Sequence, residues 1–372
     1  MRPVLGAAVL VAALAAWTAP ALSAPASNPL PALAYYYIWF DSHSWTHAKR
    51  DYPLAGRYSS DDVDVMRTHV AEAQAAGLDG FIVSWKSTPT LDRRLAKLIQ
   101  VADARNFKLA INYEGLDVRR QPLPPSRVAA DLDYFRSHFA SDPAFQLFDK
   151  PLVIWAGTWK FSAADIARVA VPLRKDLLIL ASERDVGEFS RVADVVDGDA
   201  YYWSSVDPWR SPGYGGKLAA FSDAVHAHAG LWIAPAAPGF DARMIGGTRV
   251  VDRRDGATLR RELDTAVASS PDAVGVISWN EFTENSHVEP SRRYGRRSLQ
   301  VLSDFRGAKV GSGAAFDSSE PTTGIGYALP FLSGLAGVLV TGLLVVASRA
   351  SRRRGAGGDG QERRFSGGST AA

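Results

Sequence analysis

The chain has 372 residues, 47% of them hydrophobic and 22% charged, which is ample for one large globular domain. A formal net charge of only +3, much of it in arginines near the C-terminus, leaves no basic surplus for gripping nucleic acid. The absence of cysteine excludes disulfides, thiol catalysis and cysteine-based zinc sites together.

Taken in chain order, residues 1–26 have the layout of a signal peptide: a positive start, an apolar run over residues 4–16, then small residues and prolines. Next come short apolar strands alternating with amphipathic helices. Residues 33–40 (LAYYYIWF) read as a first strand, and a polar loop leads to a helix over 61–76 with Ser59, Ser60 and Asp61 as capping candidates. Strands are predicted at 81–85, 108–113, 151–155, 177–181, 199–203, 231–235 and 274–279. The helices between and after them are predicted at 91–105, 126–141, 163–174, 188–195, 217–229, 257–269 and 297–305. Eight strand–helix units in residues 31–306 match an α/β fold of the (β/α)8 TIM-barrel type. Runs such as PLVIW and VGVIS are apolar throughout, as parallel strands covered on both faces should be. An open doubly wound sheet would carry a G-x-G-x-x-G turn after its first strand, and that turn is missing.

Residues 307–324 are polar, small and proline-containing, as a linker is. Residues 325–347 hold no charge and suffice to span a bilayer, and the arginines of the 348–372 tail place that tail in the cytoplasm. The expectation is an exported, membrane-anchored monomer with its barrel outside the cell.

In such barrels the chemistry sits at the C-terminal ends of the strands. Here those ends carry Tyr37 with Trp39, Trp85, Tyr113 with Glu114, Tyr202, Asp241, and the run Trp279-Asn280-Glu281 with Glu284. Aromatic faces suit sugar rings, and two crowded carboxyls of different protonation suit cleavage of a glycosidic bond. As a bare spacing, E-x-x-E is common on solvated helices; a buried strand before it and the adjoining Trp279 and Asn280 raise its weight. Glu183 and Asp185 after the fifth strand fit either a sugar contact or a helix start. His287 fits either the pocket or the core, and Glu289 with Pro290 reads as the end of a loop. The run Arg292, Arg293, Arg296, Arg297 fits a solvated helix start or an anion site. The histidines show no metal-ligand spacing, so neither metal nor cofactor is expected.

The segment SWNEFTENSHVEP resembles the SFNEWHEGTQIEP-type motif of glycoside hydrolase family 99, the endo-α-mannosidases, and of bacterial proteins like them. Supporting likenesses run upstream in the same order, in VVDRRDGATLRRELDTAV, LAINYEG, DGFIVSWKS and YYYIWF. The resemblance implies a retaining, endo-acting hydrolase of an α-linked, mannose-like oligo- or polysaccharide that passes through a 1,2-anhydro sugar. It assigns Glu281 as the base acting on the 2-hydroxyl and Glu284 as the acid. Asn280 would orient Glu281 or bind sugar, and Glu114 would be a further acid on the substrate. Phe282, Thr283 and Asn285 replace that family's Trp, His and Gly, and Leu259 stands where Tyr is usual, so the sugar itself is left open. A strand-8 W-N-D-x-x-E motif in the α-1,3-glucanases is similar too. A barrel that binds envelope glycan without cleaving it is the alternative from another class.

Overall fold

The computed structural model describes residues 30–307. The expected signal peptide, membrane span and tail, and the linker beyond Gly307, lie outside these residues. Among the described residues no helix is long and apolar enough to cross a membrane.

Eight parallel strands form the barrel: β1 (Ala32–Tyr37), β2 (Gly80–Trp85), β3 (Lys108–Glu114), β4 (Leu152–Ala156), β5 (Leu178–Leu180), β6 (Gly198–Ala200), β7 (Leu231–Ala236) and β10 (Ala273–Val276). Two further strands, β8 (Phe240–Asp241) and β9 (Val250–Val251), make an antiparallel hairpin on the loop after β7, which sequence reasoning missed because each is only two residues long. The sheet order is β5-β4-β3-β2-β1-β10-β7-β6, and a bridge between Ala181 and Asp199 joins its two edges. The amides of Ala181 and Ala200 donate across that seam to Gly198 and Ala181, each at 2.9 Å. Closure removes both sheet edges.

The helices are α1 (Val63–Ala75), α2 (Pro89–Asp103), α3 (Pro125–His138), α4 (Ala163–Leu173), α5 (Val186–Ser190), α6 (Tyr214–Ala227), α7 (Ala257–Val267) and α8 (Arg297–Arg306). Several start where a short polar side chain takes up free amides: Asp62 accepts from Asp64 and Val65, Thr88 from Leu91, and Ser162 from Asp165. The first helix is therefore capped by Asp62, one residue past the expected set. Asp61 instead faces the Arg94 guanidinium at 2.7 Å.

Strand alternation sorts side chains into two layers. Leu33, Tyr35, Ile82, Ala110, Ile154, Leu180, Ile233 and Ile277 fill the barrel, while Tyr36, Phe81, Val83, Trp85, Tyr113, Trp155 and Trp279 pack outward against the helices. Each such apolar side chain contributes about 1.5–3 kcal/mol on burial. Gly275 leaves room for this packing: a Cβ there would crowd Cε2 of Tyr35 at 3.0 Å.

Candidate active site

The same alternation decides which strand-end residues reach the barrel mouth. Tyr37 continues the inward row of Leu33 and Tyr35, and Tyr202 continues that of Ala200; their hydroxyls meet at 2.7 Å. Asn112 and Glu114 follow Ala110 on β3, and the Asn112 amide donates to Glu114 Oε1 at 3.1 Å and to Ser84 Oγ at 3.0 Å. Trp39 is half-buried beside Tyr37, their rings 4.3 Å apart.

Glu281 and Glu284 lie just past β10, in a segment joined to the strand by a cis peptide bond between Ile277 and Ser278. The Glu281 amide donates to Ser278 Oγ at 2.8 Å, and Glu281 Oε1 accepts from the Thr283 amide at 2.9 Å. Burial raises the Glu281 carboxyl, against the pull of the Thr283 hydroxyl and amide and of the Lys49 ammonium. Glu284 has weaker help: Ser204 Oγ donates to it at 3.4 Å. Burial, and then the neighbouring Glu281 carboxylate, push Glu284 up to about 8. Because the Glu281 charge is among the causes that raise Glu284, a proton shared by the pair resides on Glu284. Burial also lifts Glu114, which Ser84, Lys86 and Arg120 oppose.

Several expected ligand contacts are corrected by their surroundings. Trp85, Tyr113 and Trp279 are 0% exposed on the helix side of the barrel and offer no face to a sugar. The Trp85 indole donates to Asp92 and the Tyr113 hydroxyl to Asp131, each at 3.0 Å. Asn280 is likewise spent inside the protein: it accepts from the Tyr37 amide at 2.9 Å and donates to the Tyr37 carbonyl at 3.0 Å and the Tyr58 hydroxyl at 3.3 Å. It clamps β1 to the loop bearing the two glutamates. Asp241 is paired with Arg243 at 2.7 Å and Arg50 at 3.2 Å, while its amide holds the Glu284 carbonyl at 2.8 Å. Asn280 and Asp241 position the glutamates through the backbone.

The open alternatives resolve in the same way. Asp185 caps α5 by accepting from the Glu188 amide. Glu183 is buried beside Arg191 at 3.3 Å. His287 is buried, stacked on Phe282 at 3.9 Å and facing Asp51 at 3.3 Å. Burial and the Arg253 charge depress His287 to about 3. Glu289 accepts from the Tyr58 hydroxyl at 2.8 Å and faces His69 at 3.2 Å, anchoring the end of the loop that bears the two glutamates under α1.

Sequence reasoning overlooked Lys49, Ser84, Asn112, Arg120 and Ser204. Ser84 and Asn112 carried a signal, as polar residues in the inward row of apolar strands. Lys49, Arg120 and Ser204 lie on loops, whose course no periodicity reveals.

The model of glycosyl hydrolase family 71 matches residues 54–304. No curated protein matches the sequence. The fold is similar to that of the GH99 endo-alpha-mannosidase from Bacteroides thetaiotaomicron in complex with bis-tris-propane: the TM-score is 0.63 at 19% identity, covering 74% of this chain and 97% of that one. A second structure of that enzyme gives a TM-score of 0.63 at 17% identity, covering 75% and 98%. A glycoside hydrolase-like protein gives 0.60 at 15%, covering 74% and 93%.

Proposed function

The chain belongs to glycosyl hydrolase family 71, and from that premise we propose that it cleaves an α-linked polysaccharide with Glu284 as the general acid and Glu281 as the general base. The observation that carries this is the unequal pair at the barrel mouth. Glu284 holds its proton up to about 8, while Thr283 and Lys49 favour the charged form of Glu281. An acid must be protonated when the substrate binds and a base must not be, and the order of the two carboxyls, with the proton held on Glu284, matches that division.

In this reading the scissile oxygen lies against Glu284, which gives it a proton as the C–O bond breaks. Glu281 withdraws a proton from the sugar 2-hydroxyl, whose oxygen closes on the anomeric carbon to give the 1,2-anhydro sugar. Glu284, now ionised, activates the water that opens it. Tyr37, Tyr202 and Glu114 contact the sugar, Trp39 provides an aromatic face, and action is endo on a mannose-like or α-1,3-glucan chain. The family-99-like motif supports this sequence of steps. The apolar leader and the uncharged segment over residues 325–347 support an exported, membrane-anchored enzyme acting outside the cell.

The test is a pair of variants against a pair of substrates. Glu284→Gln should lose polysaccharide cleavage yet still release the phenol of an aryl glycoside whose leaving group needs no proton, read in the first turnover before water opens the anhydro sugar. Glu281→Gln should lose both. Equal loss on both substrates in Glu284→Gln would remove its role as the acid. Unchanged cleavage in both variants would reject the pair altogether. Digestion of α-mannan and α-1,3-glucan followed by NMR names the sugar. A first-formed α-anomer supports retention, and a β-anomer makes Glu281 the base that activates water directly. Binding without any cleavage would return the chain to a glycan-binding role.

A further inference from the structure

The loop that carries the two glutamates is closed at its neck by backbone pairing. The Val288 amide donates to the Ser278 carbonyl and the Glu289 amide to the Trp279 carbonyl, each at 2.8 Å. Asn280 opens this loop and Glu289 ends it, and both are buried, 0% and 3% exposed. The acid–base reaction uses neither Glu289 nor the two side chains that meet it, Tyr58 and His69.

The hydrogens of this cluster can be placed one after another. A backbone N–H only donates and a carbonyl only accepts, so the two bonds between Asn280 and Tyr37 fix which way the Asn280 amide is turned. The second Nδ2 hydrogen is then aimed at the Tyr58 hydroxyl, 3.3 Å away. Tyr58 accepts there, so its own hydrogen goes to Glu289 Oε2 at 2.8 Å. Burial, and then the Glu289 charge, push that hydroxyl well above its ordinary range, so it keeps the hydrogen it gives. Beyond Glu289, Oε1 lies 3.2 Å from His69 Nε2, and His69 Nδ1 lies 3.0 Å from the Tyr36 hydroxyl. With Tyr36 donating to Nδ1, the Nε2 hydrogen falls to Glu289.

The chain of bonds thus runs from His69 on α1, through Glu289 at one end of the loop, to Asn280 at the other. One hydroxyl, that of Tyr58, bridges the two ends. His69 is 0% and Tyr58 5% exposed, so water does not replace a bond lost here. The Tyr58 ring is held separately, with Phe40 and Trp45 at 5.6 and 5.1 Å between ring centres. Taking away the hydroxyl alone therefore leaves this packing in place.

We infer that Tyr58, Glu289 and His69 are positioning residues for the reaction. His69 fixes Glu289, Glu289 orients the Tyr58 hydroxyl, and that hydroxyl locks Asn280 so that the loop holds Glu281 and Glu284 at the barrel mouth. This role presupposes the acid–base reading of those glutamates. A bond lost from the chain displaces the reacting carboxyls and slows the chemical step without weakening glycan binding.

Kinetics of Tyr58→Phe in the full-length chain test it, on the α-glycan that the wild type cleaves. The kcat per folded molecule should fall about tenfold, with KM within about twofold. In an Asn280→Ala background the same change should lower kcat by less than about twofold, because the hydroxyl acts through that amide. Glu289→Leu should lose about as much as Tyr58→Phe. Glu289→Gln keeps an acceptor for Tyr58 and should regain kcat to within about threefold of wild type. If Tyr58→Phe does not fold, the two Glu289 variants decide. Amide exchange gives a reading that needs no hydrolysis: in Tyr58→Phe residues 278–289 should exchange faster, while β2, β3 and β4 keep their rates. Wild-type kcat in Tyr58→Phe, the same loss with and without Asn280, or unchanged exchange over 278–289 overturns the inference. An inactive Glu281→Gln beside a fully active Tyr58→Phe rejects the positioning role alone, whereas a fully active Glu281→Gln rejects the acid–base pair itself.

Discussion

Two pairs of carboxyl groups follow different strands of this barrel, and they differ in more than their acidity. Glu281 and Glu284 follow β10, while Glu183 and Asp199 face each other across the seam between β5 and β6. Burial lifts both pairs: Glu284 to about 8, Glu183 to about 7, and Asp199 well above its ordinary value. Yet Glu183 and Asp199 are 1% and 0% exposed, on the helix side of the wall, and Arg191 covers Glu183. Glu284 is half-buried at the mouth, beside two tyrosine hydroxyls. A displaced titration thus marks burial, and only access from the barrel mouth distinguishes a site for chemistry.

The comparison breaks most sharply at the acid. Replacing Glu284 or Glu281 by Gln should lower kcat/KM on polysaccharide by about 10²- to 10⁴-fold, the span of general acid–base catalysis. The pH profile of wild-type kcat/KM should carry the same asymmetry. Its falling limb should lie near 8, where Glu284 loses its proton. Lys49→Met removes the ammonium that favours ionised Glu281, so the rising limb should move to higher pH and narrow the profile. A rising limb that stays in place would show that Glu281 is not the group titrating there.

A smaller effect is expected from the residue that ties the mouth together. Asn280→Ala leaves the buried Tyr37 amide and carbonyl without partners. At about 1–3 kcal/mol for each unsatisfied group, a loss of roughly 2–6 kcal/mol in unfolding free energy should follow. The loop bearing the glutamates loses its anchor to β1, so kcat should fall by about tenfold or more with KM little changed. A large rise in KM at constant kcat would instead make Asn280 a substrate contact.

How much of this was legible in the sequence follows from which forces act locally. All eight barrel strands and the eight helices overlap the expected segments, because apolar runs and helical amphipathicity are written over consecutive residues. The site was only half legible. Naming the last residues of each strand gathered Tyr37, Tyr202 and Glu114 at the mouth, but it also took in Trp85, Tyr113 and Trp279, which the alternation on β2, β3 and β10 turns toward the helices. Counting by twos from the barrel-filling residues would have rejected Trp85 and Tyr113 and found Ser84 and Asn112. Asn280 and Asp241 looked like sugar contacts because their partners, Tyr37, Tyr58, Arg50 and Arg243, are supplied by other loops. Long-range pairing of that kind leaves no trace in spacing.

The mildest prediction concerns the other pair and tests the comparison from its quiet side. Glu183→Gln should leave kcat/KM within about twofold, since the side chain does not reach the mouth, as expected for a change remote from the reacting groups. Its effect belongs to stability and has a definite sign. In the folded chain Glu183 keeps its proton up to about 7, whereas the unfolded chain releases it near 4.5. Between those values unfolding releases a proton, so this group's contribution to stability is full below pH 4.5 and is lost as pH rises through 7. Glutamine carries no such titration. Denaturation of wild type and variant at a series of pH values should show their difference moving in the variant's favour by roughly 3 kcal/mol from acid to pH 8. A difference that stays flat with pH would mean that Arg191 already holds Glu183 ionised, and the contrast between the two pairs would then rest on access alone.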